Sequence, residues 1–143
     1  MKRATALLKN GKVYLQAYSK TTAGVWIAHG PVYVAPVEQL DQIGSNARAA
    51  LALSRHDVNH PGPTEWKAVQ QPMLDAVGAR SWAVLAKGSR VVGLVSEGTD
   101  VTMVPSENYA NNGGTALQDK ARKVLLSDAG FGRVLLEALE ISS

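Results

Sequence analysis

The dipeptide Asn10-Gly11 constrains this chain more than any other feature. Both residue types tolerate positive φ, so the pair suits a tight turn whose twist matches that of two flanking antiparallel strands. Residues 12–18 carry the aromatic and branched side chains of a strand, Val13, Tyr14, Leu15 and Tyr18 among them. The turn joins this segment to a first strand over residues 4–9. Gly24 precedes a further run, Val25-Trp26-Ile27-Ala28, and Gly30-Pro31 separates that run from Val32-Tyr33-Val34. Four short strands in a meander are therefore expected.

The period of the pattern then changes. Val37, Leu40, Gly44, Ala47, Ala50 and Leu51 recur at steps of three and four, which places them on one face of a helix over residues 37–54. Pro36 suits the first helical position, where its missing N–H would be unpaired anyway, and Glu38 in the first turn favours the helix dipole. Residues 55–64 have no period and read as a loop. Thr64 is placed to cap a short helix through Trp66 and Val69. Pro72 cannot donate a helical hydrogen bond, so that helix is expected to end near Gln70. A further turn then runs through Leu74 and Val77 to Gly78, a suitable C-terminal stop.

Residues 81–87 fit both a capped helix and a buried strand, and Ser81 as a cap favours the helix. Residues 90–96 and 101–105 form a hairpin around Glu97-Gly98-Thr99-Asp100. Residues 106–115 are a polar loop, and 119–126 are extended. Phe131, Val134, Leu135, Ala138 and Leu139 form the apolar stripe of a last helix, with Ser127 as its cap. The expected fold is α+β, one domain over residues 1–143. Its antiparallel sheet, an N-terminal meander plus a later hairpin, packs against a few helices.

Hydrophobic residues make up 45% and charged residues 19%, a globular balance that rules out a disordered chain. There is no cysteine, which excludes disulfides, thiolate metal sites and cysteine nucleophiles. The apolar run after Lys2-Arg3 stops at Lys9, too short for a signal peptide, and no run approaches the length of a membrane span. A cytoplasmic protein is the expectation. Charge is unevenly distributed. Residues 1–36 hold Lys2, Arg3, Lys9, Lys12 and Lys20 and no acid. Residues 37–75 hold Glu38, Asp41, Asp57, Glu65 and Asp75 against three basic residues, and are the only net-acidic stretch. Such asymmetry can steer partners.

No arrangement of residues reads as an active site. His56 and His60 stand four apart, the spacing of a shared metal on a helix face. Pro61 follows at once, however, and the segment is not helical in pattern, so both are assigned to local hydrogen bonding. Asn111-Asn112-Gly113-Gly114 lacks the flanking pattern of a phosphate loop and reads as a turn. Lys120, Arg122 and Lys123 are flanked by Asp119 and Asp128, without interleaved aromatics, as on a solvated face. No catalytic residue, metal or cofactor is assigned. Trp26 and Trp82 sit among apolar neighbours and are expected in the core. Trp66 follows Glu65 at a helix start and is the tryptophan expected at an interface.

Several segments together carry a resemblance. They are Gly24-Val25-Trp26-Ile27, Gly30-Pro31, Ala50-Leu51-Ala52-Leu53-Ser54-Arg55, His60-Pro61, Glu65-Trp66, Leu74, Ala76, Ser81-Trp82, Lys87 and Gly132-x-x-Leu135-x-x-Ala138-Leu139. The chain resembles the immunity proteins of bacterial contact-dependent growth inhibition systems over most of its length, least between Asn111 and Lys123. The resemblance implies a non-catalytic inhibitor that forms a heterodimer with the toxic C-terminal domain of a cognate effector, often a nuclease. It carries no fixed contact residues. Charge supplies a candidate set: a nuclease exposes positive charge to hold phosphates, so Glu38, Asp41, Asp57 and Glu65 are expected at the toxin, with Trp66 as an anchor. The alternative is a small nucleic-acid-binding module, favoured by the pI near 9.3. A small enzyme using His56 and His60 is the third reading.

Overall fold

The Asn10-Gly11 turn forms as its chemistry predicts. Both residues take positive φ, 53° and 74°, and Lys9 stands opposite Lys12 where β1 (Lys2–Lys9) passes into β2 (Lys12–Lys20). The structure, a computed structural model, describes residues 1–143. The next strand differs from expectation. Gly30-Pro31 is not a turn between two strands but lies inside one long strand, β3 (Trp26–Pro36). Gln16 pairs with Val32 and Tyr18 with Ala28, so His29, Gly30 and Pro31 bulge opposite Ala17 alone. The bulge spares the ladder the donor that Pro31 lacks. The Gln16 side-chain amide fills the gap by donating to the Gly30 carbonyl at 2.9 Å.

The first helix, α1 (Leu40–Leu53), starts later than expected, because Pro36 still belongs to β3 and Val37 donates to the Gly11 carbonyl. After α1 the chain passes the end of β2, where Val58 bridges Thr21, and reaches the opposite face of the sheet. There α2 (Trp66–Val77) runs unbroken through Pro72 instead of ending near Gln70. Ala68, whose carbonyl Pro72 cannot reach, is exposed, so water can satisfy it. Glu65, not Thr64, stands at the N-cap, while Gly78 closes the helix at φ 79° as predicted. The short α3 (Trp82–Ala86) is capped by Ser81, whose hydroxyl accepts from the Val84 N–H at 3.2 Å.

The chain returns as β4 (Arg90–Glu97) beside β1 and turns through Gly98-Thr99 into β5 (Asp100–Glu107). The short β6 (Thr115–Ala116) and then β7 (Arg122–Leu125) both add to the outer edge of β5, at opposite ends. Residues 108–114 form the expected loop, between β5 and β6, and residues 122–125 form the expected extended stretch, as β7 paired with β5. The last helix, α4 (Phe131–Glu140), is capped by Gly130 rather than Ser127. Asp128 holds that turn by accepting from the Gly130 N–H. All seven strands pair antiparallel, in the order β3-β2-β1-β4-β5, with β6 and β7 beyond. The α+β class is as predicted. No helix is long and apolar enough to cross a membrane.

Alternation along the strands sorts side chains onto two faces. Ala4, Ala6, Val13, Leu15, Val92, Leu94, Val101 and Met103 point to one face and join Ile43, Ala47, Ala50, Leu51, Phe131, Leu135, Ala138 and Leu139 in the main core. There α1 and α4 cross so closely at Gly44 and Gly132 that their backbones touch. The opposite face carries a smaller core, where Leu7, Tyr14 and Val91 meet Met73, Leu74 and Leu85 of α2 and α3. These two helices cover only part of that face.

The basic N-terminal third has a structural use that the sequence did not disclose. The Lys9 ammonium donates to the carbonyls of Val84, Leu85 and Lys87 at 2.7–2.8 Å, closing the C-terminal end of α3. Lys2 reaches the Ala52 carbonyl near the end of α1, and Arg90 that of Glu140 at the end of α4. Cations belong at helix C-termini, where carbonyls lack partners and the dipole is negative. Lys9→Ala should therefore lower stability by about 1–2 kcal/mol, and Lys12→Ala, at an exposed position, by under about 0.5 kcal/mol. Urea unfolding of both variants measures the difference.

Candidate partner-binding face

The part of the second sheet face left bare by α2 and α3 carries the most distinctive surface of the molecule. Strand alternation brings Arg3 and Thr5 of β1, Tyr18 of β2 and Gly93 and Val95 of β4 to this face, and Trp26 of β3 completes its border. Gly93 has open space where a side chain would stand. A trough of about 360 Å³ lies above these residues, bounded on the far side by Val104, Ala116 and Gln118. Tyr18 and Trp26 also line a narrower slot of about 220 Å³ between the sheet and α2, walled by Trp66, Met73 and Trp82. A third, broader cleft of about 830 Å³ adjoins the slot at Gln16, Ile27, Ala28 and Val69 and runs out under residues 58–61 to Glu65 and Pro72. The trough and the slot thus adjoin at Tyr18 and Trp26, and the three hollows lie side by side in one depressed region of the surface.

Trp82 is half-buried and packs against the smaller core, as the sequence suggests, while also lining the slot. Trp26 is half-buried in the wall of this depression and joins neither core, where the sequence placed it. Apolar neighbours along the chain mark a half-buried strand or helix, but not which side faces the helices. Trp66 is 41% exposed and meets the His60 ring edge-on at 5.7 Å.

Hydrogen bonding defines the polar groups around the rim. The buried Thr21 hydroxyl accepts from the N–H groups of Ala23 and Val25. His60 Nδ1 lies 3.0 Å from the same hydroxyl. This hydroxyl thus ties the turn after β2 to the His60 ring. His29 Nδ1 lies 3.4 Å from the buried Ser19 hydroxyl, which accepts from the Arg55 N–H. His56 turns away from His60: its Nε2 lies 2.7 Å from the Met1 carbonyl, and its ring packs edge-on against Trp26. His56 and His60 do not share a ligand position.

Two phenols near the slot are held neutral. Burial raises Tyr18 above its ordinary value, although a hydrogen bond with Thr5 pulls it down. Burial first and the neighbouring Tyr18 second push Tyr109 up to about 12, against the lowering effect of a hydrogen bond with Trp82. Both are hydrogen-bonding groups at neutral pH and not bases.

The acidic residues singled out from the sequence fall into two places. Glu38 and Asp41 flank a shallow depression at the start of α1. Asp57 follows the other end of α1, about 20 Å away by helix rise over its 14 residues. It leads into the segment that carries Glu65 and Trp66 to the cleft and the slot. Glu65 is already engaged, accepting from the Gly62 N–H at 2.8 Å. The residues that sequence reading missed are Arg3, Tyr18 and Gln16. Their place on the open half of a sheet face depends on which helices cover it, and no local signal reports that.

No family model matches the chain, and no curated protein matches it. Solved structures do match its fold. One is a protein of unknown function from Neisseria meningitidis, with a TM-score of 0.80 and 18% identity, covering 99% of this chain and 95% of that one. Another is a chain of a CdiA-CT/CdiI toxin and immunity complex from Yersinia pseudotuberculosis, with a TM-score of 0.77 and 14% identity, covering 99% of this chain and 97% of that one.

Proposed function

We propose that this chain is an immunity protein. It binds the C-terminal toxin domain of a cognate contact-dependent growth inhibition effector in the cytoplasm and blocks it without catalysis. The observation that carries this reading is the end-to-end fold likeness to a chain of a toxin and immunity complex. The motifs of the sequence point the same way, from Gly24-Val25-Trp26-Ile27 to the Gly132 helix. The depressed region supplies a surface for a protein: it is lined by aromatics and bordered by polar groups, as binding faces are. Toxin contact is assigned to Glu65 and Trp66 in this depression and to Asp57, which precedes the cleft residue Val58. Glu38 and Asp41 form a second, separate acidic patch that faces the toxin only if it also spans α1. A nuclease toxin, with its positive substrate groove, suits both patches.

The use of Lys2 and Lys9 as helix caps weighs against the alternative of a nucleic-acid-binding module, since those cations are committed to carbonyls. Co-expression with the toxin domain of its own effector tests the proposal. Growth should be restored by this chain and not by an unrelated immunity protein. Continued toxicity at full expression of both would contradict it.

A further inference from the structure

We propose that Arg3 is a carboxylate-binding subsite of this face, receiving an Asp or Glu side chain of the toxin domain. The proposal rests on the immunity reading and names the chemistry of its partner. The Arg3 guanidinium makes no ion pair and no side-chain hydrogen bond, and its Nε is buried without any partner. Such a group is an exception in a folded protein, because a partly desolvated cation is costly unless something answers it. Its environment is built rather than incidental. The guanidinium carbon lies 4.7 Å from the centre of the Trp26 ring, which is held from another side by the edge of His56. The two terminal Nη groups have no partner in the chain and are not buried with Nε, and such a pair can grip a carboxylate end-on with two parallel hydrogen bonds.

The trough around Arg3 decides between anions. It is lined by Thr5, Tyr18, Gly93, Val95 and Val104, with no acid and no second cation. A nucleic-acid backbone is gripped by repeated cations, so a lone Arg among apolar and hydroxyl groups suits one carboxylate on a protein surface. The flanking slot, lined by Trp26, Trp66 and Trp82, would take an apolar neighbour of that carboxylate.

The test uses the full chain and its toxin domain inactivated at its active site, with affinity measured by calorimetry for wild type, Arg3→Met and Arg3→Lys. Every Asp and Glu of the toxin is changed in turn to Ala for double-mutant cycles. Arg3→Met should weaken binding about thirtyfold. Arg3→Lys, which keeps charge but loses the planar fork, should fall between. One toxin acid should couple to Arg3, its removal costing little once Arg3 is gone. A structural stack alone would lower the melting temperature without coupling to any toxin residue. Binding by Arg3→Met within about threefold of wild type, with no coupled acid, overturns the proposal. So does a loss of affinity for a single-stranded RNA oligonucleotide in place of the toxin. If Arg3→Met fails to fold, Arg3→Lys and the acid scan against wild type carry the test, and absence of any sensitive acid overturns it. Wild-type chain that does not bind the toxin at all contradicts the immunity reading instead.

Discussion

Gly132→Ala should destabilise the domain by about 3 kcal/mol, the upper range for forcing atoms into a packed interior. A Cβ at Gly132 would stand 1.9 Å from the Leu40 carbonyl oxygen and 2.8 Å from its carbon. Those are backbone atoms in the first turn of α1, so no rotamer change relieves the clash. The two helices would have to separate, and their interface is built from Ile43, Ala47, Phe131 and Leu135 of the main core. Gly44, across the same crossing, is the control. A Cβ there meets its nearest neighbours at 3.4 Å, an ordinary contact. Ala also gains about 1 kcal/mol of helix propensity over Gly, so Gly44→Ala should be close to neutral. Urea midpoints of the two variants decide the point, and a wild-type midpoint for Gly132→Ala would show that α1 and α4 do not cross as described.

Trp66→Ala should speed dissociation of the toxin about thirtyfold while leaving the melting temperature nearly unchanged. The ring is 41% exposed in the free chain and meets the edge of the His60 ring, so truncating it removes little buried packing. In a complex the same ring would close the slot formed with Trp26 and Trp82. The acids beside it should act differently. Asp57→Asn suits the positive φ of 58° at that residue, and Glu65→Gln keeps an oxygen for the Gly62 N–H. Together they should slow association about threefold at low salt and have little effect at high salt, because exposed charges are screened. Surface plasmon resonance separates the two rates. Unchanged dissociation for Trp66→Ala would remove the slot from the interface.

Elements fixed by local chemistry were legible in the sequence. The Asn10-Gly11 and Gly98-Thr99 hairpins, the Ser81 and Gly78 caps and the stripe of α4 all depend on residues a few positions apart. Misreadings arose where a distant group supplied what a local rule lacked. Gly30-Pro31 reads as a turn, yet the Gln16 side chain lets β3 pass through it as a bulge. Pro72 reads as a helix end, yet exposure of Ala68 lets α2 continue. Lys9 reads as a surface charge, yet it closes a helix more than seventy residues away. The candidate site was least legible for the same reason. Trp26 carries core-like neighbours, and its exposure follows from how little of the second face α2 and α3 cover.

The most direct measurement of the central claim is a titration of the purified toxin domain with this chain, read by the toxin's own activity. If the chain is a non-catalytic immunity protein, activity should fall linearly and reach zero at one equivalent, with intact toxin recovered when the complex is dissociated by denaturant. Full activity at a large excess of the chain would contradict the account. So would complete inhibition by a few hundredths of an equivalent, which would make the chain an enzyme acting on the toxin.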